Sequence, residues 1–268
     1  MIYVTGDTHR NFYRLLATSF QEDDILIILG DSCINYNLDI TDNMIKHILS
    51  KYENKFFIIQ GNHEERPENI STYKEVDMFG GKVFIEDDYP NLIFAKNGEL
   101  YNIDDNKILV IGGAYSVDKY YRLRNNLRWF KDEQLTKKEE KEILKKYTGK
   151  KVDYILSHTC PEKYTPGEAL IPGLDETLID HSMERFLDQV EESVEYDKWY
   201  CGHFHIDKEI DKIEFMYYGI KELSKTKKKV KTKKRTQWVL FVSFNTLSSL
   251  SWSIPSNLIT SVSSISFT

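Results

Sequence analysis

Apolar residues in the first sixty positions come in short continuous runs, and each run stops at a glycine or a polar cluster. Residues 1–5, 25–29 and 55–60 form three such runs. They are too apolar for half-exposed strands and are what strands covered on both faces look like. Between them, residues 11–20 place Phe12, Leu15, Leu16 and Phe20 at roughly helical spacing. Thr41-Asp42 looks like a helix start, with Met44, Ile45, Ile48 and Leu49 following on one face. This β-α-β-α-β order predicts an α/β sheet whose ligand crevice lies outside the carboxyl ends of its strands.

The pattern then changes. Residues 80–85, 92–95, 100–103 and 107–111 are short β-rich runs divided by Asp, Asn, Pro and Gly turns, and they predict a meander. A charged helix is expected over 132–146, a strand over 152–156, and a helix over 183–194 with Phe186, Leu187, Val190 and Val194 on one face. Strands are expected at 198–201 and 213–220. Residues 159–180, between the 152–156 strand and the 183–194 helix, form a loop long enough to cover a site.

Composition narrows the class. The 268 residues are 41% hydrophobic and 13% aromatic, enough to bury a sizeable core. The net charge of −6 is uneven. Residues 224–268 hold eight Lys or Arg and no Asp or Glu, which leaves 1–223 with 28 basic and 42 acidic side chains, a formal −14. An acidic body argues against broad nucleic-acid binding through a basic face. A small phosphate ester remains open, because bound cations can dominate the local field. Residues 224–268, Lys-rich and then Ser-rich, read as a dispensable tail beyond a domain at 1–223, either disordered or an out-of-frame translation. A polybasic membrane-surface arm is the other reading, and no membrane span is expected. Cys33, Cys160 and Cys201 have no scaffold-like spacing and read as small buried residues. A strand-like start without a signal peptide implies a reduced, cytoplasmic setting.

The chemistry lies at the strand ends. With Glu64 set aside, Gly6-Asp7-Thr8-His9, Gly30-Asp31, Gly61-Asn62-His63-Glu64, Ser157-His158 and Gly202-His203-Phe204-His205 supply two carboxylates, one amide and five imidazoles. Of the seven histidines only His47 and His181 lie outside, and both read as ordinary helix residues. Nitrogen and oxygen donors without thiolate suit Mn, Fe, Zn, Ni or Co, and eight groups exceed the needs of one ion.

The ordered set GDTH, GD, GNHE, H and GHFH resembles the calcineurin-like metallophosphoesterase superfamily over roughly residues 1–220. The resemblance implies a four-layer α-β-β-α sandwich and two divalent ions, Mn2+ foremost. Asp7, His9, Asp31 and His205 would hold one ion; Asp31, Asn62, His158 and His203 would hold the other. It implies hydrolysis of a phosphomonoester or phosphodiester by a metal-activated hydroxide, with His63 assisting the leaving oxygen. A nuclease, a dinucleotide polyphosphate hydrolase or a non-catalytic scaffold of the same fold are the alternatives.

Two departures stand out. Arg10 follows the first His, where glycine is common in the family. Ile34 and Asn35 occupy the positions where the superfamily's protein Ser/Thr phosphatases carry an aspartate that orients the catalytic His and a phosphate-binding arginine. Glu64 and Asn35 are therefore the candidates to orient His63. Arg10, Arg66, Tyr115 and Arg122 are the candidates to contact substrate; the aromatic-basic stretch 115–129 could stack a nucleotide base or simply pack on the core.

Overall fold

Strands β1 (Ile2–Thr5), β2 (Ile25–Ile28) and β3 (Lys55–Ile58) lie side by side in parallel, in the register Ile2–Ile25–Lys55. The computed structural model describes residues 1–169 and 176–223, so the expectations for 224–268 fall outside the described residues. Helix α1 (Tyr13–Leu16) follows β1, and α2 (Ile40–Leu49) follows β2. Beyond β3, the strands β4 (Tyr73–Met78), β5 (Gly81–Glu86) and β6 (Leu92–Ala95) pair antiparallel in sequence, and β6 joins β3 in parallel.

The chain then crosses to a second sheet. It contains β7 (Leu100–Ile103), β8 (Asn106–Ile111), β9 (Lys151–Ser157) and β10 (Glu195–Cys201), of which β8, β9 and β10 run parallel. Helices α3 (Lys119–Arg124) and α4 (Lys137–Tyr147) intervene before β9, and α5 (Ser182–Ser193) before β10. The short strands β11 (Lys208–Ile210) and β12 (Ile213–Phe215) extend this sheet at one edge. The last described strand, β13 (Ile220–Glu222), returns to the first sheet and pairs antiparallel with β1. The result is a seven-stranded and a six-stranded mixed sheet.

Alternation along the strands builds the layers, since successive side chains point to opposite faces. Ile2, Val4, Ile25, Ile27, Leu29, Phe57 and Ile59 meet Tyr101, Ile103, Ile108, Val110, Tyr154, Leu156 and Tyr200 in one core between the sheets. Leu26, Ile28, Phe56 and Ile58 point the other way, toward Phe12, Leu15 and Leu49 of the α1–α2 layer. Leu109, Ile111, Ile155 and Trp199 pack on Ile143, Tyr147, Phe186, Leu187 and Val190 of α4 and α5. This is the expected α/β sandwich, with helices outside two stacked sheets.

Three expectations are corrected. The helix expected over 11–20 is a single turn, Tyr13–Leu16: the chain leaves it at Ala17, and Thr18 Oγ1 donates to the Arg14 carbonyl at 3.1 Å. In α2 the expected apolar stripe is split: Leu49 is buried and Ile45 packs on the core, but Met44 is 60% and Ile48 50% exposed, while Asp42 and Lys46 are buried. Lys46 Nζ donates to Glu86 Oε2 at 2.6 Å and Asp42 accepts the Asn37 and Leu38 amides, so polar contacts orient the helix. The supposed meander is split between the sheets, with β4–β6 in one and β7–β8 in the other.

Candidate metal centre

The parallel strands of both sheets end at the same edge of the sandwich, and the strand-end clusters converge there. Asp7 and His9 follow β1, Asp31 follows β2, Asn62 and His63 follow β3, His158 follows β9, and His203 and His205 follow β10. The chain must turn sharply at each exit. His9, Asp31, His203 and His205 all have positive φ, of 44°, 47°, 68° and 52°. Side chains other than glycine pay for the left-handed region, so such a cluster marks a functional site. At Gly30 no side chain would be tolerated: φ is +95° and a Cβ would lie 2.1 Å from the His158 ring.

Potential ligand atoms face one another at the centre. His9 Nε2 and His205 Nε2 are 2.9 Å apart, and His205 Nε2 is 3.1 Å from Asp7 Oδ2. That last contact lacks the angle of a hydrogen bond, and Asp7 Oδ2 is buried without a hydrogen-bond partner. Asp31 presents its two oxygens to different rings, Oδ2 3.9 Å from His9 Nε2 and Oδ1 3.5 Å from His158 Nε2. A second convergence surrounds His158, which is fully buried. Its Nδ1 faces the Leu29 carbonyl at 2.7 Å and must donate there, since a carbonyl only accepts. In the neutral ring, Nε2 then aims a lone pair at Asn62 Oδ1, 2.9 Å away. A cation can take the place of the protons shared among these atoms, and carboxylate, amide and imidazole donors without thiolate fit divalent metal. Asp7, His9 and His205 form one possible ion-holding group, and Asp7, Asp31 and His158 another, with ligand atoms within 4.8 Å of one another.

Electrostatics agree with that reading. Burial acts to raise the Asp31 pKa, but the His63, His158 and His9 rings hold it well below the usual carboxylate range. Burial likewise opposes protonation of His158, yet Asp31 and Asp7 lift it to about 9, so a proton takes the place a metal ion would fill. His203, buried beside His158 with ring centroids 5.0 Å apart, is pushed down to about 3 by burial and by that neighbour. It is a neutral imidazole ready to accept metal. Its backbone N–H donates to Asp7 Oδ1 at 3.0 Å, tying the β10 exit to the β1 exit.

A cleft of about 230 Å³ opens beside these atoms, lined by His9, Arg10, Cys33, Tyr36, His63 and Arg122. His63 holds Asp31 Oδ1 through its backbone N–H at 2.9 Å. Arg122 is anchored by Asp118, at 2.8 Å to both carboxylate oxygens, and by Tyr36 Oη at 3.2 Å. Arg10 also lines the cleft, but it pairs with Asp42 and donates to the Cys33 carbonyl.

Two of the substrate candidates lie elsewhere. Arg66 gives Nε to Asp132 O, Nη1 to Glu139 and Nη2 to Gln134 O, all within 2.9 Å, so its guanidinium pins the start of α4. Tyr115 is buried and donates to Leu178 O at 3.2 Å. The candidates to orient His63 are also corrected. Glu64 is buried under the exits of β2 and β3, accepting from Ser32 Oγ, Cys33 N and Gly61 N. Asn35 Oδ1 accepts from Tyr73 Oη. Burial lowers the His63 pKa; of the neighbouring charges Asp31 and Asp118 act to raise it, and Arg122 and His9 to lower it. Ser116, Asp118 and Glu133 went unnoticed in the sequence. Their one signal was that Ser116 and Asp118 follow the strand-end Gly112-Gly113 as the other clusters follow theirs.

Cys33, Cys160 and Cys201 are buried and free, as expected, and Cys33 Sγ sits 3.6 Å from His9 Nδ1. Among the described residues no helix is long and apolar enough to cross a membrane. A family model described as calcineurin-like phosphoesterase matches residues 1–207. No curated protein matches the chain.

Proposed function

The chain belongs to the calcineurin-like phosphoesterase family, and from that premise we propose that it hydrolyses a phosphomonoester or phosphodiester at the Asp/His cluster. The observation that carries this reading is the convergence of Asp7, His9 and His205, with ligand atoms within 4.8 Å of one another, beside a cleft holding His63 and Arg122. Asp7, His9, Asp31 and His205 would hold one divalent ion. Asp31, Asn62 and His158 would hold a second, with His203 completing the set. Borderline cations, Mn2+ foremost, would supply Lewis-acid polarisation of the phosphoryl group and acidify water.

The chain's own residues supply the rest. His63 stands at the mouth of the cleft, where a protonated ring nitrogen can pass its proton to the leaving oxygen. Arg122, fixed by Asp118 and Tyr36, turns its guanidinium to the same space and can take a phosphate oxygen. It fills the role for which position 35 carries no arginine. Tyr120 and Tyr121, 59% and 64% exposed on α3 next to Arg122, favour a substrate with a flat group, and on them rests the nuclease or dinucleotide-hydrolase alternative.

The test is a panel of aryl phosphate monoesters and diesters, dinucleotide polyphosphates and short single-stranded DNA, offered to metal-stripped protein with and without Mn2+. Turnover is expected only with metal and should disappear on chelation. A folded protein that takes up Mn2+ but turns over none of these esters would favour the binding-scaffold reading.

A further inference from the structure

Asn62 is the only amide in the candidate donor set, and an amide has two faces. Only its oxygen can ligate metal; its NH2 would repel one. The structure contains a device that sets which face points inward. Asn62 Nδ2 donates to Ser116 Oγ at 2.9 Å, in a buried contact between the exit of β3 and the segment after β8. Ser116 in turn gives its hydroxyl proton to Glu133 Oε2 at 2.5 Å and its backbone N–H to Glu133 Oε1 at 3.0 Å. Ser116 is 1% and Glu133 2% exposed. With its proton committed to the carboxylate, Ser116 Oγ has only lone pairs left for Asn62. A flipped amide would set Oδ1 against those lone pairs, leaving buried polar groups unsatisfied at a cost of about 1–3 kcal/mol.

The approach of the two segments depends on Gly113. Its φ is +93°, and a Cβ there would lie 2.5 Å from the Glu133 carbonyl oxygen. That carbonyl accepts the Ala114 N–H at 3.2 Å, docking the 133 segment against the β8 exit.

We propose that Ser116 and Glu133 are positioning residues that lock the Asn62 amide with its oxygen toward the metal site. This rests on the reading of Asn62 as a ligand. The polarity of the relay runs one way: carboxylate accepts, hydroxyl donates and then accepts, amide nitrogen donates, amide oxygen is left for metal. Outer groups that orient ligands typically set metal affinity by about 10–100-fold.

The experiment is calorimetric titration of metal-stripped full-length protein with Mn2+ alone, for wild type, Ser116→Ala, Glu133→Gln, Asn62→Asp and the double variants pairing each relay change with Asn62→Asp. Ser116→Ala should weaken one of two Mn2+ equilibria by about 10–100-fold and leave the other unchanged. Glu133→Gln should move the same equilibrium in the same direction, because an amide at 133 can donate to Oγ and free the hydroxyl proton. In the Asn62→Asp background neither change should matter, since a carboxylate shows oxygen both ways up. Equal losses in both backgrounds would make Ser116 a general support of the fold and overturn the proposal. So would an unchanged affinity in Ser116→Ala. A wild-type protein that binds no Mn2+ would instead remove the premise, namely the metal reading of the site.

Discussion

In the proposed mechanism, ligand and acid are neighbours in one tetrapeptide, Asn62 and His63. The His63 backbone N–H grips Asp31 while its side chain borders the cleft at 18% exposure, so the two functions can be cut apart. His63→Ala keeps the backbone bond and should keep both ions, yet slow turnover by about 10²–10⁴-fold. Metal content of the purified variant, measured beside its kcat, checks this; loss of one ion would make His63 a ligand. At this scale the metal-type residues were legible because four strand ends repeated one signature, a glycine followed by donors, and a fifth, Ser157-His158, carried the donor alone. Ser116 and Glu133 were not. They lie 17 residues apart, carry ordinary polar side chains, and acquire meaning only when the fold brings them to Asn62, 54 positions from Ser116. Arg66 failed in the opposite sense: nearness to a motif in sequence placed it under α4.

At the scale of elements, α5 contains an anomaly with a measurable consequence. The helix buries Met183, Phe186, Leu187 and Val190, and Glu184 goes in with them at 6% exposed. Oε1 accepts from Thr159 Oγ1 at 2.9 Å, while Oε2 is buried without a partner. Burial pushes the carboxyl up to about 7. A carboxyl raised in the folded state favours folding while protonated; its contribution is intact below about pH 4.5 and is lost as pH climbs through 7. Glu184→Gln should therefore gain on wild type by roughly 1–3 kcal/mol between pH 5 and pH 8, read from urea unfolding at the two pH values. A constant difference would mean that Glu184 is not buried as a neutral acid. Elements buried on both faces, such as β2, β3 and β9, were readable from their apolar runs. Strand β4 was not, because its Tyr-Lys-Glu-Val-Asp-Met sequence lies at the sheet edge with no residue fully buried. The face of α2 was legible only in part: Ile45 and Leu49 pack inward, but the buried Lys46–Glu86 pair takes the side that Met44 and Ile48 leave.

For the whole molecule, the candidate donors come from both sheets: Asp7, His9, Asp31 and Asn62 from one, His158, His203 and His205 from the other. Ions held there would bind the folded state and not the unfolded chain. Mn2+ at about 100 times its dissociation constant should add about 2.7 kcal/mol per site to the unfolding free energy, and chelation should remove it. The check is the thermal midpoint against Mn2+ concentration; indifference to metal would count against ions that bridge the sheets.

The pairing of β13 with β1 sets Tyr3 opposite Glu222, and His9 meets His205 across 196 positions of chain. Contacts that span so much sequence close late, since the entropy of the intervening loop must be overcome first. On the ribosome the N-terminal strands emerge long before either partner exists. Through most of translation β1 is an open sheet edge, and the half-built site has carboxylates but no third or fourth imidazole. The candidate metal site is therefore incomplete until residue 205 has been made, and during that time β1 lacks the β13 partner that covers its edge in the folded chain.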